Sequence, residues 1–421
     1  MQIVNNQSIG TLPEAESARV KRMHIPARAA VLGSTVREAD RELKLNGGGD
    51  GLLDTTHFDT VRFPAPDWAA GVMAEVMADG ATAYTPYRGA PDVIASVAET
   101  LTGFMGVPVT PENIAFTPGT QGGLFATLSA IVNPGDVVML ADPEYLFTER
   151  MLEFVGATVV RIPIDVDAAE PTLDLAAIEA ALPQQPTLLV FSHPNNPSGA
   201  IFPRASLEKI AALSVEHGFR ILADELYSRL VYSGAEFTHM RTLPGMAERC
   251  VTMLGPSKTE SLSGFRLGVV VGPEDVMAAV EQTLAVTALR APAYAQRLLA
   301  HWIADDADFV AQRITELAAL REMTVTALRR VPGLRVTPHE GTAYLYCDVS
   351  ALGATDVEVA HVLQVEAGVV VSPGYQFGPS GIGRFRVCYA RDEAEWAAAL
   401  ERMVTALTAL GARNTAEAAH A

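Results

Sequence analysis

The sequence predicts an α/β protein: a large domain with a mainly parallel central sheet covered by helices, plus a smaller α+β domain. Three observations carry this expectation. At 421 residues the chain exceeds what one compact core accommodates, so two domains are expected. Short apolar runs alternate with helical patterns from about residue 70 onward, the arrangement of a parallel sheet buried on both faces. Polar residues that are costly to bury follow several of those runs, and ligands of such sheets sit beyond the carboxyl ends of the strands.

Residues 1 to about 50 form a mixed polar lead-in closed by Asn46-Gly47-Gly48-Gly49-Asp50, which reads as a flexible turn. The strand candidates are Val137–Ala141, Thr158–Ile164, Thr187–Ser192, Arg220–Ala223, Cys250–Leu254 and Leu267–Val271. Helical stretches such as Leu175–Leu182 and Ala205–His217 lie between several of them. Helix-rich sequence follows from Pro273 to about Arg330, and a separate strand-and-helix region runs from Leu334 to about Leu410. Gly411–Ala421, Ala-rich and polar, reads as a frayed tail. The expected division is residues 1–70 as an arm and part of the small domain, 71–305 as the large domain, and 306–421 as the C-terminal small domain.

A net charge of -18 opposes binding to nucleic acid, whose phosphates require a basic surface. Cys250, Cys347 and Cys388 are odd in number and widely spaced, without disulfide or zinc patterning; a reducing compartment is expected and no metal site. Met1–Gly10 lacks a basic start followed by an apolar core, and runs such as Leu267–Gly272 are too short for a bilayer. The expectation is a cytoplasmic protein without membrane contact.

The segments beyond the strands carry the chemistry. After Thr187–Ser192 comes His193-Pro194-Asn195-Asn196-Pro197-Ser198-Gly199, by itself a turn. Arg220–Ala223 runs into Asp224-Glu225-Leu226-Tyr227, and a carboxylate there needs a cation or donors. Cys250–Leu254 leads into Gly255-Pro256-Ser257-Lys258, with Gly264-Phe265-Arg266 close behind. Pro118-Gly119-Thr120-Gln121-Gly122-Gly123 precedes the helical run Leu124–Ile131, where backbone N–H groups form an anion site. Each feature has an ordinary structural reading; their order along the chain is what chance rarely supplies.

In this combination the chain resembles the class I/II aminotransferases, the fold type I family of pyridoxal 5′-phosphate enzymes, over roughly residues 50 to 405. The lysine segment "SKTESLSGFRLG" carries the resemblance, with "HPNNPSG", "ADELY", "TPGTQGG" and "GRFRVCYA" in support. It implies that Lys258 holds the cofactor as a Schiff base and then serves as general acid and base. Asp224 would pair with the pyridine nitrogen, and Tyr227 and Asn196 with the ring hydroxyl oxygen. Arg266, Ser257, Gly119, Thr120 and Gln121 would hold the phosphate, and Tyr145 would stack on the ring. Tyr84 would reach the cofactor of a neighbouring subunit, which implies a homodimer with shared sites. Arg386, rather than Arg384 two residues earlier, matches the arginine that clamps the substrate α-carboxylate. Pro373-Gly374-Tyr375-Gln376-Phe377-Gly378 resembles a loop of the small domain that approaches the substrate.

Two departures stand out. Gly255 occupies the position, three before the lysine, where the family usually has a hydroxyl residue. Phe58 and Thr60 stand where relatives carry the glycine and proline of a Gly-x-Pro-Asp turn against the substrate. His57, Phe58, Asp59 and Arg62 are therefore specificity candidates, and Arg290 borders the site by resemblance. The implied activity is transfer of an amino group from an L-amino acid to a 2-oxo acid. A β-lyase or an aminocyclopropanecarboxylate-synthase-like reaction would use the same lysine, and an oxidase or cyclase also stays open. An effector-sensing regulator is disfavoured by the acidic charge and the lack of a basic DNA-binding module.

Overall fold

The structure, a computed structural model, describes residues 17–23, 52–58, 60, 62–232 and 234–420. The predicted turn at 46–50 and the specificity candidate Asp59 lie outside the described residues. In chain order the strands are β1 (Leu53–Asp54), β2 (Ile114–Pro118), β3 (Val137–Asp142), β4 (Thr158–Pro163), β5 (Leu188–Ser192), β6 (Arg220–Asp224) and β7 (Cys250–Leu254). They continue as β8 (Leu267–Val271), β9 (Arg335–Val336), β10 (Tyr344–Asp348), β11 (Val369–Val370), β12 (Ser372–Pro373) and β13 (Arg384–Cys388).

Strands β2 to β8 form one seven-stranded sheet in the order β2-β8-β7-β6-β5-β3-β4. All neighbours pair in parallel except β8, which is antiparallel to both β2 and β7. Helices cover both faces, so the central strands are apolar on both sides. Leu189, Phe191, Ile221 and Ala223 pack with Leu207 and Ile210 of helix Arg204–His217 on one face. Leu188, Val190 and Leu222 pack on the other with Leu124 and Leu128 of helix Gly119–Ile131 and with Val280 and Leu284 of helix Glu274–Thr287. The period-two alternation within each strand sends successive side chains to opposite layers.

A four-stranded sheet, β12-β13-β10-β9, is antiparallel throughout, and β1 pairs in parallel with β11 beside it. Its core joins Leu345, Phe385, Leu317, Leu363, Trp396 and Leu407, which brings helices Ala307–Leu328, Asp356–Glu366 and Glu393–His420 together. Helix Asp356–Glu366 opens on a reciprocal capping box between Thr355 and Glu358. The indole Nε1 of buried Trp396 donates to Thr324 Oγ1 at 2.8 Å, which satisfies the ring and ties two of these helices.

Two expectations need correction. β2 was not foreseen as a strand: it ends on Pro118 and lies at the sheet edge, where proline is tolerated. The C-terminal tail is not frayed, because the last helix runs to His420. Its alanines favour helix, and Asn414 Nδ2 donates to Leu352 O at 3.2 Å and Gly353 O at 3.0 Å. No helix among the described residues is long and apolar enough to cross a membrane.

Candidate active site

A cleft of about 680 Å³ opens between the rim of the large sheet and the small one. The parallel strands β2, β5, β6 and β7 all end at this rim, and their last residues lead into Gly119, His193, Glu225 and Gly255. Because β8 is reversed, its amino end meets the same rim and delivers Arg266. Thr120, Gln121, Tyr145, Asn196, Asp224, Tyr227, Ser257, Lys258, Arg266, Phe58 and Arg386 all line the cleft.

At one end the start of helix Gly119–Ile131 presses against β8. Gly119 has φ +77° and a Cβ there would collide with the Arg266 guanidinium, so glycine is required on two counts. A Cβ on Gly268 would sit 2.6 Å from the Thr120 nitrogen. Gly119 N–H donates to Arg266 O at 2.9 Å, and Arg266 Nη1 donates to Ser263 O at 2.9 Å. The Thr120 hydroxyl is buried without a hydrogen-bond partner among the described residues. Helix N–H groups, an unpartnered hydroxyl and a guanidinium fork make an anion cradle of phosphate type. Gly255 contributes by its lack of a side chain: a Cβ there would lie 3.0 Å from Thr120 Oγ1. The lack of a side chain at Gly255 leaves room for the Thr120 hydroxyl of the facing helix. Ser257 Oγ is turned to Leu267 O at 3.4 Å.

Along the floor, Asp224 is pushed up to about 6 by burial, which outweighs the hydrogen bond from Leu226 N at 3.2 Å and the opposing field of Lys258. A protonated ring nitrogen would supply the counter-charge such a buried carboxylate needs. Lys258 is partly exposed to the cleft, and among the described residues its ammonium has no hydrogen-bond or ion-pair partner. Tyr227 pairs its hydroxyl with that of Tyr344 at 2.9 Å, and burial followed by this neighbour holds its phenol well above the usual range. Tyr145 donates to Gln121 Oε1 at 3.2 Å.

On the opposite wall Arg386 is 3% exposed and lies flat on Tyr344, with the guanidinium carbon 4.1 Å from the ring centre. Its Nη1 donates to Asn196 Oδ1 at 2.6 Å and its Nη2 to Thr56 O at 2.6 Å, while Nε is buried without a partner. Arg384 is turned away into ion pairs with Asp167 at 2.5 Å and Asp348 at 3.5 Å, so it cannot offer a free fork to the cleft.

Several expected residues stand elsewhere or do double duty. Phe58 lines the cleft but is 2% exposed and packs on Phe63, so its ring belongs as much to the core as to the pocket. His57 and Thr60 also line it, whereas Arg62 reaches away to Asp392 at 3.7 Å. Tyr84 is 82% exposed and outside the cleft, and Arg290 stacks on its ring at 4.4 Å rather than facing the site. Sequence reading missed Tyr344, Ser372 and Glu144. Glu144 is fully buried behind the cleft, where its carboxylate accepts from Tyr145 N and Ser192 N, each at 2.7 Å. Burial pushes it up to about 8 in spite of these donors. The signal was present, since Glu144 sits between a proline and an aromatic at a strand end, but it reads equally well as a surface turn.

A lysine, a half-buried carboxylate and an anion cradle on the rim of such a sheet fit an enzyme of the fold type I pyridoxal-phosphate class. Residues 55–403 match the family described as aminotransferase class I and II. The chain belongs to that family and is an aminotransferase. It is 31% identical to the aspartate/prephenate aminotransferase of Thermus thermophilus, over 89% of this chain and 96% of that one. It is 30% identical to an arginine–pyruvate transaminase of Pseudomonas aeruginosa, over 83% of this chain and 86% of that one. Among solved structures, an aspartate aminotransferase of Rhodobacter sphaeroides superposes with a TM-score of 0.82 at 34% identity, covering 88% of this chain and 98% of its own.

Proposed function

We propose that the cleft binds pyridoxal 5′-phosphate, with Lys258 as its covalent attachment point, and transfers amino groups between L-amino acids and 2-oxo acids. One observation carries this reading: a partner-free Lys258 shares its cleft with half-buried Asp224 and with the anion cradle of Thr120 and Arg266. The cofactor, when bound, supplies an electron sink for the negative charge left at the amino acid Cα.

The residues of the chain divide the remaining work. Gly119, Thr120, Gln121, Ser257 and Arg266 hold the phosphate, and Tyr145 covers one face of the ring. Asp224 keeps a proton on the ring nitrogen, which the low-dielectric floor makes an effective partner. Asn196 and Tyr227 would hydrogen-bond the ring hydroxyl oxygen. Arg386 grips the substrate α-carboxylate, orienting the Cα–H bond toward Lys258. The Lys258 amine would serve as the base that takes the Cα proton and as the acid that gives it back. Phe58, His57 and Gln376 face the substrate side chain.

The chain acts as a homodimer in which exposed Tyr84 reaches the partner's cofactor phosphate. The three buried, unbridged cysteines support a cytoplasmic setting. Residues 1–70, 71–305 and 306–421 are taken as the working division of the chain. The test is a half-reaction: holoenzyme is mixed with single amino acids, aspartate first because several relatives bear its name, without any oxo acid. One equivalent of 2-oxo acid per site with loss of the yellow absorbance is expected. Continuous pyruvate and ammonia at unchanged absorbance would overturn transamination in favour of β-elimination.

A further inference from the structure

Arg391 lies outside the cleft, just beyond β13, and is only 1% exposed. A guanidinium so buried demands acceptors. Its Nη2 donates to Asp54 O and, at 2.5 Å, to His57 O; its Nη1 donates to Ala390 O at 2.5 Å. The two carbonyls in between are also taken. Cys388 N–H donates to Thr55 O at 3.0 Å, and Arg386 Nη2 donates to Thr56 O at 2.6 Å. Four successive carbonyls of the atypical wall segment, Asp54 to His57, are therefore all held by β13 and the residues that follow it. Thr56 O faces Arg386 between two carbonyls that are themselves held, Thr55 O by Cys388 N–H and His57 O by Arg391. Of the donors in this set, Arg391 alone spans both flanks of the turn.

We propose that Arg391 is a positioning residue for substrate: by pinning the Asp54 and His57 carbonyls it aims the Thr56 carbonyl, which orients the Arg386 fork toward the α-carboxylate. This rests on the assignment of Arg386 to that carboxylate. The device works through Arg386 and makes no contact with Lys258 or the phosphate cradle; its one link toward the ring is the Arg386 bond to Asn196. Its loss should therefore weaken substrate capture far more than the proton transfer that follows. Ser372 Oγ, 3.4 Å from Arg386 Nη2, is the remaining acceptor on that side and is too distant to replace Thr56 O fully.

The test is single-turnover kinetics of the holoenzyme with the best amino acid from the half-reaction screen, giving a half-saturating concentration and a limiting rate. Melting temperature and borohydride-trapped cofactor content serve as parallel readouts. Arg391→Met should raise half-saturation about tenfold or more, since small misplacements of an orienting group are that costly. The limiting rate should stay within about threefold and the trapped cofactor unchanged. Arg391→Lys, which keeps the charge and one donor, should recover part of the loss. In the double variant with Arg386→Lys, the Arg391→Met effect should largely vanish, as for two groups acting in one chain of contacts. Half-saturation within about twofold of the parent in a folded Arg391→Met protein would overturn the proposal, as would full additivity in the double variant. If Arg391→Met fails to fold, Arg391→Lys decides: a several-fold rise supports the role and an unchanged value refutes it. An Arg386→Lys enzyme with unaltered half-saturation would instead remove the reading of Arg386 on which the proposal stands.

Discussion

At the sheet rim, Asp224, Lys258 and Arg266 each stand within a few residues of one strand end, so a single rigid sheet sets their mutual geometry. On the facing wall, Tyr344, Ser372 and Arg386 stand on neighbouring strands of the small sheet, while Thr56 comes from a separate segment and is held to them by the Arg386 guanidinium. The rim is specified by backbone and resists change. The wall has its own sheet, but the segment around Thr56 is joined to it through the arginine side chains, and one substitution there can re-aim Arg386. An enzyme family that keeps its cofactor chemistry while altering its substrates gains from this division.

Substitutions separate the two sides by size and kind of effect. Removing the amine in Lys258→Ala should cut turnover by about four orders of magnitude or more, checked by steady-state assay, because covalent attachment and proton transfer are both lost. On the wall, Arg386→Lys should lower kcat/KM by about two orders of magnitude, mostly in KM, since an ammonium cannot reproduce the bidentate fork. A similar fall in both variants confined to kcat would erase the contrast between rim and wall. Gly119→Ala should weaken cofactor retention by about 1–3 kcal/mol, from a strained φ and the collision with Arg266, read by equilibrium dialysis against pyridoxal 5′-phosphate. Retention equal to that of the parent would show that the cradle is not backbone-fixed.

The smallest effect is a pH dependence. Glu144 binds its proton more tightly folded, at about 8, than in the unfolded chain near 4.5. Between these values the native state holds more protons than the unfolded one, so this group's contribution to stability is greatest below pH 4.5 and declines as pH rises to about 8. Glu144→Gln should flatten the fall of melting temperature across that window. A slope unchanged by the substitution would place the titration elsewhere.

The rim was largely legible in the sequence because each of its contacts is packed into a short contiguous motif. The lysine segment alone carries Ser257, Lys258 and Arg266, and strand-helix alternation fixes where such motifs end up. Two things were hidden there. The reversal of β8, which brings Arg266 to the rim, leaves no mark in an apolar run of five residues. The closeness of Gly255 to the Thr120 hydroxyl depends on the approach of two elements distant in sequence. The wall was harder to read. Tyr344 lies in an alternating strand where either face could be the core, and Arg391 precedes Asp392, which caps the last helix through Ala394 N and Glu395 N at 3.1 Å. A charged residue at a helix start ordinarily faces water, and nothing local distinguishes this one. Arg62, singled out for its position, proved to point away.

The central claim is that Lys258 is the residue joined to the cofactor. Purified holoenzyme would be reduced with borohydride, digested, and its peptides mapped by mass spectrometry. The account predicts a phosphopyridoxyl group on Lys258 and on no other lysine, and none in Lys258→Ala. Covalent trapping that persists in Lys258→Ala, or that maps to another lysine in the parent, would contradict it.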